Sequence, residues 1–402
     1  MKIVHVITSI DPDKGGPQAV VMRLAAAQAN LGHSVHVVSQ ADDQTLAHVA
    51  RLGAAIPGFA QVVWHILPPP GLMEAMLCIR ARPFLARVLA DARHVHLHGV
   101  WEPILACAAA IAASNGVPYC ICPAGMLDTW SLAQKPWKKR LALALGCRRM
   151  LEGAAFIHAL NRDEVKLMRP LHLKTPAEII PNGVFVEEFE SLPSPEDFSE
   201  LIGLPAERRF VLFLSRLHYK KGLDLLANAF QLVARQCPDV DLVVAGPDGG
   251  AEDDFRDLVR RFGLERRVFM VGPLYGETKL QAFVAAACFC LPSRQEGFSI
   301  AITEALACGT PVVITDGCHF PEVADAGAGA VVSLDPMDIA TAMTGILSHP
   351  LAATAMGRNG RRLVFDNYTW PRIAQLTIGL YEAYTPARAP VSLSAAAVNG
   401  YS

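Results

Sequence analysis

Strand-like apolar runs alternate with helix-period stretches along nearly the whole chain, and this alternation narrows the possible folds more than any other feature. In the first half, Lys2–Ile7, Ser34–Ser39, Val62–Ile66, His94–His98, Pro118–Cys122 and Ala155–His158 read as strands. Between them, Pro17–Leu31 reads as a helix opened by proline and stopped at Gly32, and Glu102–Asn115 as one stopped at Gly116. The second half repeats the scheme, with strands at Arg209–Leu214, Asp241–Ala245, Arg267–Val271, Ala287–Leu291 and Pro311–Ile314. Its helices are expected at Leu223–Arg235, Asp253–Phe262, Lys279–Ala286 and Ser299–Ala307. Alternation of this kind implies parallel sheets covered on both faces. Proline and acidic residues accumulate near Pro181–Pro205, where the two halves part.

The expected architecture is therefore α/β: two doubly wound, parallel-sheet, Rossmann-like domains facing across a cleft, with ligands beyond the C-terminal strand ends. The length of 402 residues suits two domains, and a hydrophobic share of 52% against 18% charged residues supplies their cores. A net charge of −2 leaves no electrostatic footprint for nucleic acid. No apolar run reaches the roughly 18–20 residues that span a bilayer. Lys2 with Ile3–Ile7 is too short and too strand-like for a signal peptide. The 10 cysteines are scattered, and the pairs Cys120/Cys122 and Cys288/Cys290 lie inside strand-like runs without zinc-site spacing. They read as small buried residues in a reducing, cytoplasmic setting without disulfides.

The segment Pro292–Pro311 carries the chemistry. A small-residue turn at Gly297-Phe298-Ser299 opens a helix, and the free N–H groups and partial positive charge of such an opening suit a phosphate. Glu296 stands before the turn. Glu304 lies roughly 7–9 Å further along the helix at about 1.5 Å per residue, an offset that fits one ligand with a diphosphate at the mouth and a ribose beyond it.

This Glu-x7-Glu arrangement, followed by Ala305-Leu306-Ala307-Cys308-Gly309-Thr310-Pro311, resembles the family-4 retaining glycosyltransferases of GT-B fold, in particular bacterial exopolysaccharide and lipopolysaccharide members. Four other segments resemble the same family in the same order. They are Gly15-Gly16-Pro17, His96-Leu97-His98-Gly99-Val100-Trp101, Ile180-Pro181-Asn182-Gly183-Val184 and Ser215-Arg216-Leu217-His218-Tyr219-Lys220-Lys221-Gly222. Pro123-Ala124-Gly125-Met126-Leu127 is similar to a segment of its polysaccharide-assembly members. One departure is Thr303, which stands where relatives usually carry an apolar residue before the second glutamate.

The resemblance implies a retaining transferase that takes a UDP- or GDP-sugar and passes the sugar to a glycan or lipid-linked hydroxyl in cell-surface polysaccharide assembly, with no metal required. It implies that Arg216 and Lys221 hold the donor diphosphate, that Glu296 meets the donor sugar and Glu304 the ribose, and that His98 lies near the donor sugar and the acceptor hydroxyl. The N–H groups of Gly297, Phe298 and Ser299 are candidates for sugar and phosphate contacts. Gly15 and Gly16 would allow close approach to the phosphates across the cleft, or simply form a tight turn. Leu274, in the loop Gly272–Tyr275 after a strand end, would border the base. Lys220 reads as a bystander, and His94 and His96 as structural.

Domain limits follow as 1–183 for the acceptor side and 184–370 for the donor side. A terminal helix at 371–385 would cross back to the first domain, with a disordered tail at 386–402. The basic segment Lys135–Arg149, with Trp137 and leucines, reads either as a solvated face or as a peripheral contact with anionic membrane at the inner face of the cell membrane. Asp128 is a candidate acceptor contact. Two alternatives share the donor site: a nucleotide-sugar epimerase of GT-B fold, and a non-catalytic nucleotide-sugar-binding protein. The donor base, the acceptor and the oligomeric state are not legible.

Overall fold

The computed structural model describes residues 1–11, 15–205 and 207–385, so the tail expected at 386–402 lies outside the described residues. Thirteen strands form two sheets among the described residues, and every pairing within them is parallel. The first sheet contains β1 (Lys2–Ser9), β2 (Ser34–Gln40), β3 (Val63–Leu67), β4 (His94–His98), β5 (Tyr119–Cys122), β6 (Phe156–Ala159) and β7 (Ala177–Ile179), in the order β3-β2-β1-β4-β5-β6-β7. The second contains β8 (Arg209–Leu214), β9 (Val240–Ala245), β10 (Val268–Gly272), β11 (Cys288–Leu291), β12 (Val312–Thr315) and β13 (Gly329–Val332), in the order β10-β9-β8-β11-β12-β13. Each sheet is doubly wound, with its order reversing beside its first strand, β1 or β8. A cleft opens at such a reversal.

The β4 strand shows how sequence sets the layers. Its residues alternate between histidine and apolar side chains, so the pleat sends them to opposite faces. Val95 and Leu97 join a core with the helix Pro103–Ser114. On the other face, β1 and β2 residues pack with the helix Gly16–Asn30 and with the terminal helix Trp370–Ala383. Trp370, Ile373, Ala374, Ile378 and Tyr381 of that last helix are buried in the first half's core. The chain crosses between the halves twice, and the two crossings are paired. Val184 forms an isolated parallel bridge with Thr369, with Val184 N–H donating to Tyr368 O at 2.9 Å and Trp370 N–H to Val184 O at 2.9 Å.

The short edge strands β7 and β13 lie outside the strands expected from sequence. The basic stretch Trp130–Met150 is divided among short helical segments. Lys135 at φ 49° and Pro136 open a new helix, Pro136–Ala142, and Gly146 at φ 150° breaks the run before Arg148–Glu152. All ten cysteines are buried with free thiols. Among the described residues no helix is long and apolar enough to cross a membrane.

Candidate functional site

A cavity of about 350 Å³ lies between the halves, where the C-terminal ends of β4, β5 and β8 meet the loop after β11. The first half contributes Gly16, Pro17, His98, Ala124 and Asn182, and the second contributes Ser215, Lys220, Lys221 and Glu296 to Ala301. The helix Ile300–Ala307 points its N-terminus into this space, with Ser299 at the cap position and no side chain bonded to its first N–H groups. Those donors and the dipole favour an anion there.

Lys221 and Glu296 face each other at the mouth of that helix. Lys221 Nζ lies 2.6 Å from Glu296 Oε1 and 2.8 Å from Oε2, and the hydroxyl of Ser293 donates to Oε1 at 2.5 Å. Arg216 is exposed after β8 and makes no ion pair among the described residues. Its guanidinium reaches the glycine turn of the first half: a Cβ on Gly15, whose φ is +134°, would stand 3.2 Å from Arg216 Nη2. Glu304 is buried on the helix Ile300–Ala307 and is paired with Lys279 Nζ at 2.6 Å.

Polar contacts bind the halves beside the cavity. Asn161 Nδ2 donates to Gly297 O at 2.6 Å, Gln295 Nε2 donates to Asp128 Oδ2, and His319 Nδ1 lies 3.3 Å from Asp163 Oδ2. Burial, its largest influence, pushes the Asp128 carboxyl above its ordinary range. Close approach explains Gly125: its φ is +79°, and a Cβ there would come 3.3 Å from Gln295 Nε2 and 3.5 Å from Gly297 Cα. Glu164, buried behind this contact, accepts from the N–H groups of Gly125 and Leu160, each at 2.6 Å.

Beneath His98 lies a chain of buried histidines. His5 Nδ1 is 3.0 Å from His98 Nε2, and His5 Nε2 is 2.7 Å from Gln28 Oε1. His96 connects to Tyr381 Oη at 2.7 Å and to His158 at 3.1 Å, and His158 Nε2 bonds to Ile180 O at 2.7 Å. Desolvation is the largest influence on all of them, lowering His5 and His158 to about 4 and His96 and His98 well below their ordinary value. The ring nitrogens of His5, His96 and His98 come within 4.8 Å of one another. Both nitrogens of His5 and of His96 are already engaged, so a cation there would have to displace those bonds.

Of the residues singled out from sequence, the structure gathers Gly16, His98, Lys221, Glu296, Gly297, Phe298 and Ser299 around one cavity. Gly15 and Arg216 meet at its edge, and Glu304 is held behind the helix mouth. Leu274 is placed elsewhere, on a separate hollow shared with Phe198, Leu201 and Val268 to Val271. Lys220, read as a bystander, lines the cavity and sets its ammonium 4.2 Å from the centroid of Trp130 in the other half. Sequence reasoning missed Asn161, Gln295, Lys279, His5 and Gln28. Asn161 had one signal, as the N-cap of the helix Arg162–Met168. The others had none. Trp137, Leu141 and Leu145 of the basic segment are 65%, 51% and 78% exposed, so these three side chains face outward, while Leu143 packs against the core.

Comparison with known proteins gives the same picture over both halves. The family described as "Glycosyl transferase 4-like domain" matches residues 15–183, and "Glycosyl transferases group 1" matches residues 195–363. A phosphatidyl-myo-inositol mannosyltransferase of Mycolicibacterium smegmatis is 28% identical over 396 residues, 95% of this chain and 94% of that one. A GDP-mannose-dependent alpha-(1-6)-phosphatidylinositol monomannoside mannosyltransferase of the same organism is 33% identical over 220 residues, 51% of this chain and 57% of that one. In three dimensions the chain is similar to the Anabaena protein HepE, solved in complex with UDP and glucose, with a TM-score of 0.75 at 19% identity over 95% of this chain and 100% of that one. With one glycosyl transferase family matching each half of the chain and a cleft between the two sheets, this chain belongs to the family-4 glycosyltransferases of GT-B fold.

Proposed function

We propose that this glycosyltransferase transfers a sugar, with retention at the anomeric carbon, from a UDP- or GDP-sugar to a hydroxyl of a glycan or lipid-linked acceptor in cell-surface polysaccharide assembly. The observation that carries this reading is the Lys221–Glu296 pair at the mouth of a helix whose free N–H groups face His98 across the cavity. Lys221, Arg216 and the helix opening supply positive charge where a departing diphosphate would gather negative charge. That is the task a divalent metal performs in other transferases, and the reading assigns it here to the chain's own groups. A relative named for GDP-mannose and a neighbour solved with UDP support both bases as candidates.

In the proposed step, the bond from the anomeric carbon to the diphosphate oxygen breaks and a bond from the acceptor oxygen to that carbon forms. The acceptor's proton passes to the departing phosphate oxygen, giving a nucleoside diphosphate and a glycoside. Asn161, Gln295 and Asp128 close the halves over the site and limit water. A thermal-shift series with UDP, GDP and their sugars, followed by the anomeric configuration of the product, tests the reading. A sugar product released without transfer would favour the epimerase alternative, which the transferase names of the relatives do not support.

Membrane contact belongs to the same proposal. Exposed Trp137, Leu141 and Leu145 accompany Lys135, Lys138 and Arg140, a combination suited to an anionic interface. Cosedimentation with anionic vesicles at low salt is expected. Its absence would remove this part and leave the transfer chemistry intact.

A further inference from the structure

The hydrogen bonds beneath the cleft have directions, because several groups in the chain can only accept. The Thr377 hydroxyl donates to Ala374 O at 2.8 Å within the terminal helix. Its oxygen is therefore the acceptor for Gln28 Nε2 at 2.9 Å, which turns the amide oxygen of Gln28 toward His5. An amide oxygen cannot donate, so His5 Nε2 carries the hydrogen. Burial keeps the His5 ring neutral, and its Nδ1 is a bare acceptor. That acceptor faces His98 Nε2 at 3.0 Å, so the hydrogen of His98 lies on Nε2.

A second arm reaches the same arrangement independently. Ile180 O can only accept, so His158 Nε2 donates to it and His158 Nδ1 is bare. His96 Nε2 then donates to His158, His96 Nδ1 accepts from the Tyr381 hydroxyl, and the Tyr381 oxygen accepts from Gln28 Nε2 at 3.3 Å. Both arms turn the Gln28 amide nitrogen toward the terminal helix.

We infer that this network, anchored on the helix Trp370–Ala383, fixes His98 as its Nε2–H tautomer and leaves Nδ1 as a hydrogen-bond acceptor for the cleft. Gln28 and His5 are positioning residues, since neither lines the cavity. The consequence for specificity rests on the transferase reading. His98 takes a hydrogen bond from a substrate hydroxyl, whereas a phosphate or carboxylate oxygen finds no donor there. The position therefore selects the sugar or acceptor alcohol over the charged part of the donor.

The test is the imidazole nitrogen spectrum of the full chain labelled with 15N-histidine, without ligand, at neutral pH. His98 is assigned by the signals that vanish in His98→Asn. A pyridine-like Nδ1 and a pyrrole-like Nε2 are expected for His98. In Gln28→Leu the pattern is expected to invert or average, because His5 loses the acceptor that sets its tautomer. Tyr381→Phe breaks only the other arm and is expected to leave His98 unchanged. A protonated Nδ1 on His98 in the unsubstituted protein overturns the inference without any variant. An unchanged His98 in folded Gln28→Leu, or an inverted one in Tyr381→Phe, overturns the assigned route. No substrate enters this measurement, so its failure leaves the transferase reading, which turnover tests, standing.

Discussion

Lys221 Nζ lies within 2.8 Å of both carboxylate oxygens of Glu296, so the cation assigned to the donor's diphosphate is held by the carboxylate assigned to the donor's sugar. An arriving diphosphate must compete with Glu296 for that ammonium.

Glu296→Gln should therefore bind UDP or GDP at least as tightly as the unsubstituted protein, while turnover falls roughly 100-fold through loss of charge stabilisation. Lys221→Ala should weaken both. Calorimetric titration of the two nucleotides, alongside donor turnover, separates the cases. Weaker nucleotide binding by Glu296→Gln would contradict the competition.

Arg216 stands exposed against Gly15, so its removal should change stability by less than about 0.5 kcal/mol. Turnover of Arg216→Ala should drop on the order of 100-fold, the scale of one lost transition-state donor. Denaturant melts and single-turnover rates check the two halves of this statement.

The Lys279–Glu304 pair is mostly buried, with side-chain exposures of 24% and 10%. Lys279→Met leaves the Glu304 carboxylate without its cation and should cost about 2 kcal/mol of stability. Lys279→Met combined with Glu304→Gln should recover most of that loss in denaturant titration. No recovery would mean that Lys279 stabilises the fold by packing alone.

Acid should destabilise this protein early. His5, His94, His96, His98 and His158 all have lowered folded pKa values, with burial the largest cause, and His94 sits at about 3. Their unfolded value is near 6.5, so between the two values the unfolded chain binds more protons than the native one. Stability is then complete above pH 6.5 and falls as the pH drops, by up to about 1.4 kcal/mol per pH unit for each histidine. Melting temperatures from pH 7.5 to 4.5 should fall steeply below 6.5. A flat profile would show that these rings are charged when folded.

His94 stacks on Tyr381 with centroids 4.1 Å apart, yet neither of its nitrogens has a partner among the described residues. His94→Phe removes two buried orphan groups while keeping the stack, and a gain of about 1 kcal/mol is expected in denaturant melts. A loss would point to a bond the ring makes in solution.

Most of the strands were legible because parallel sheets bury both faces, leaving runs such as Phe210–Leu214 without polar interruption. The helix mouth was legible too, since Gly297-Phe298-Ser299 and Glu304 lie close together in the chain. What escaped depends on folding. His5 and His98 are 93 positions apart and meet only because β1 lies beside β4, with Ile7 in register with His98. Lys279 finds Glu304 only once two helices pack. Tyr381 reaches His96 because the last helix returns to the first half, which no local pattern in β4 announces.

That return has a mechanical consequence. Two chain segments pass between the bodies at one spot, tied to each other through Val184 and Thr369, and the far end of the second is embedded beside β1. Such a doubled seam, like the spine of a book, should resist twisting and sliding of one half against the other more than a single linker would. Any opening of the cleft would then have to turn about that seam, with Lys221 and His98 on opposite covers.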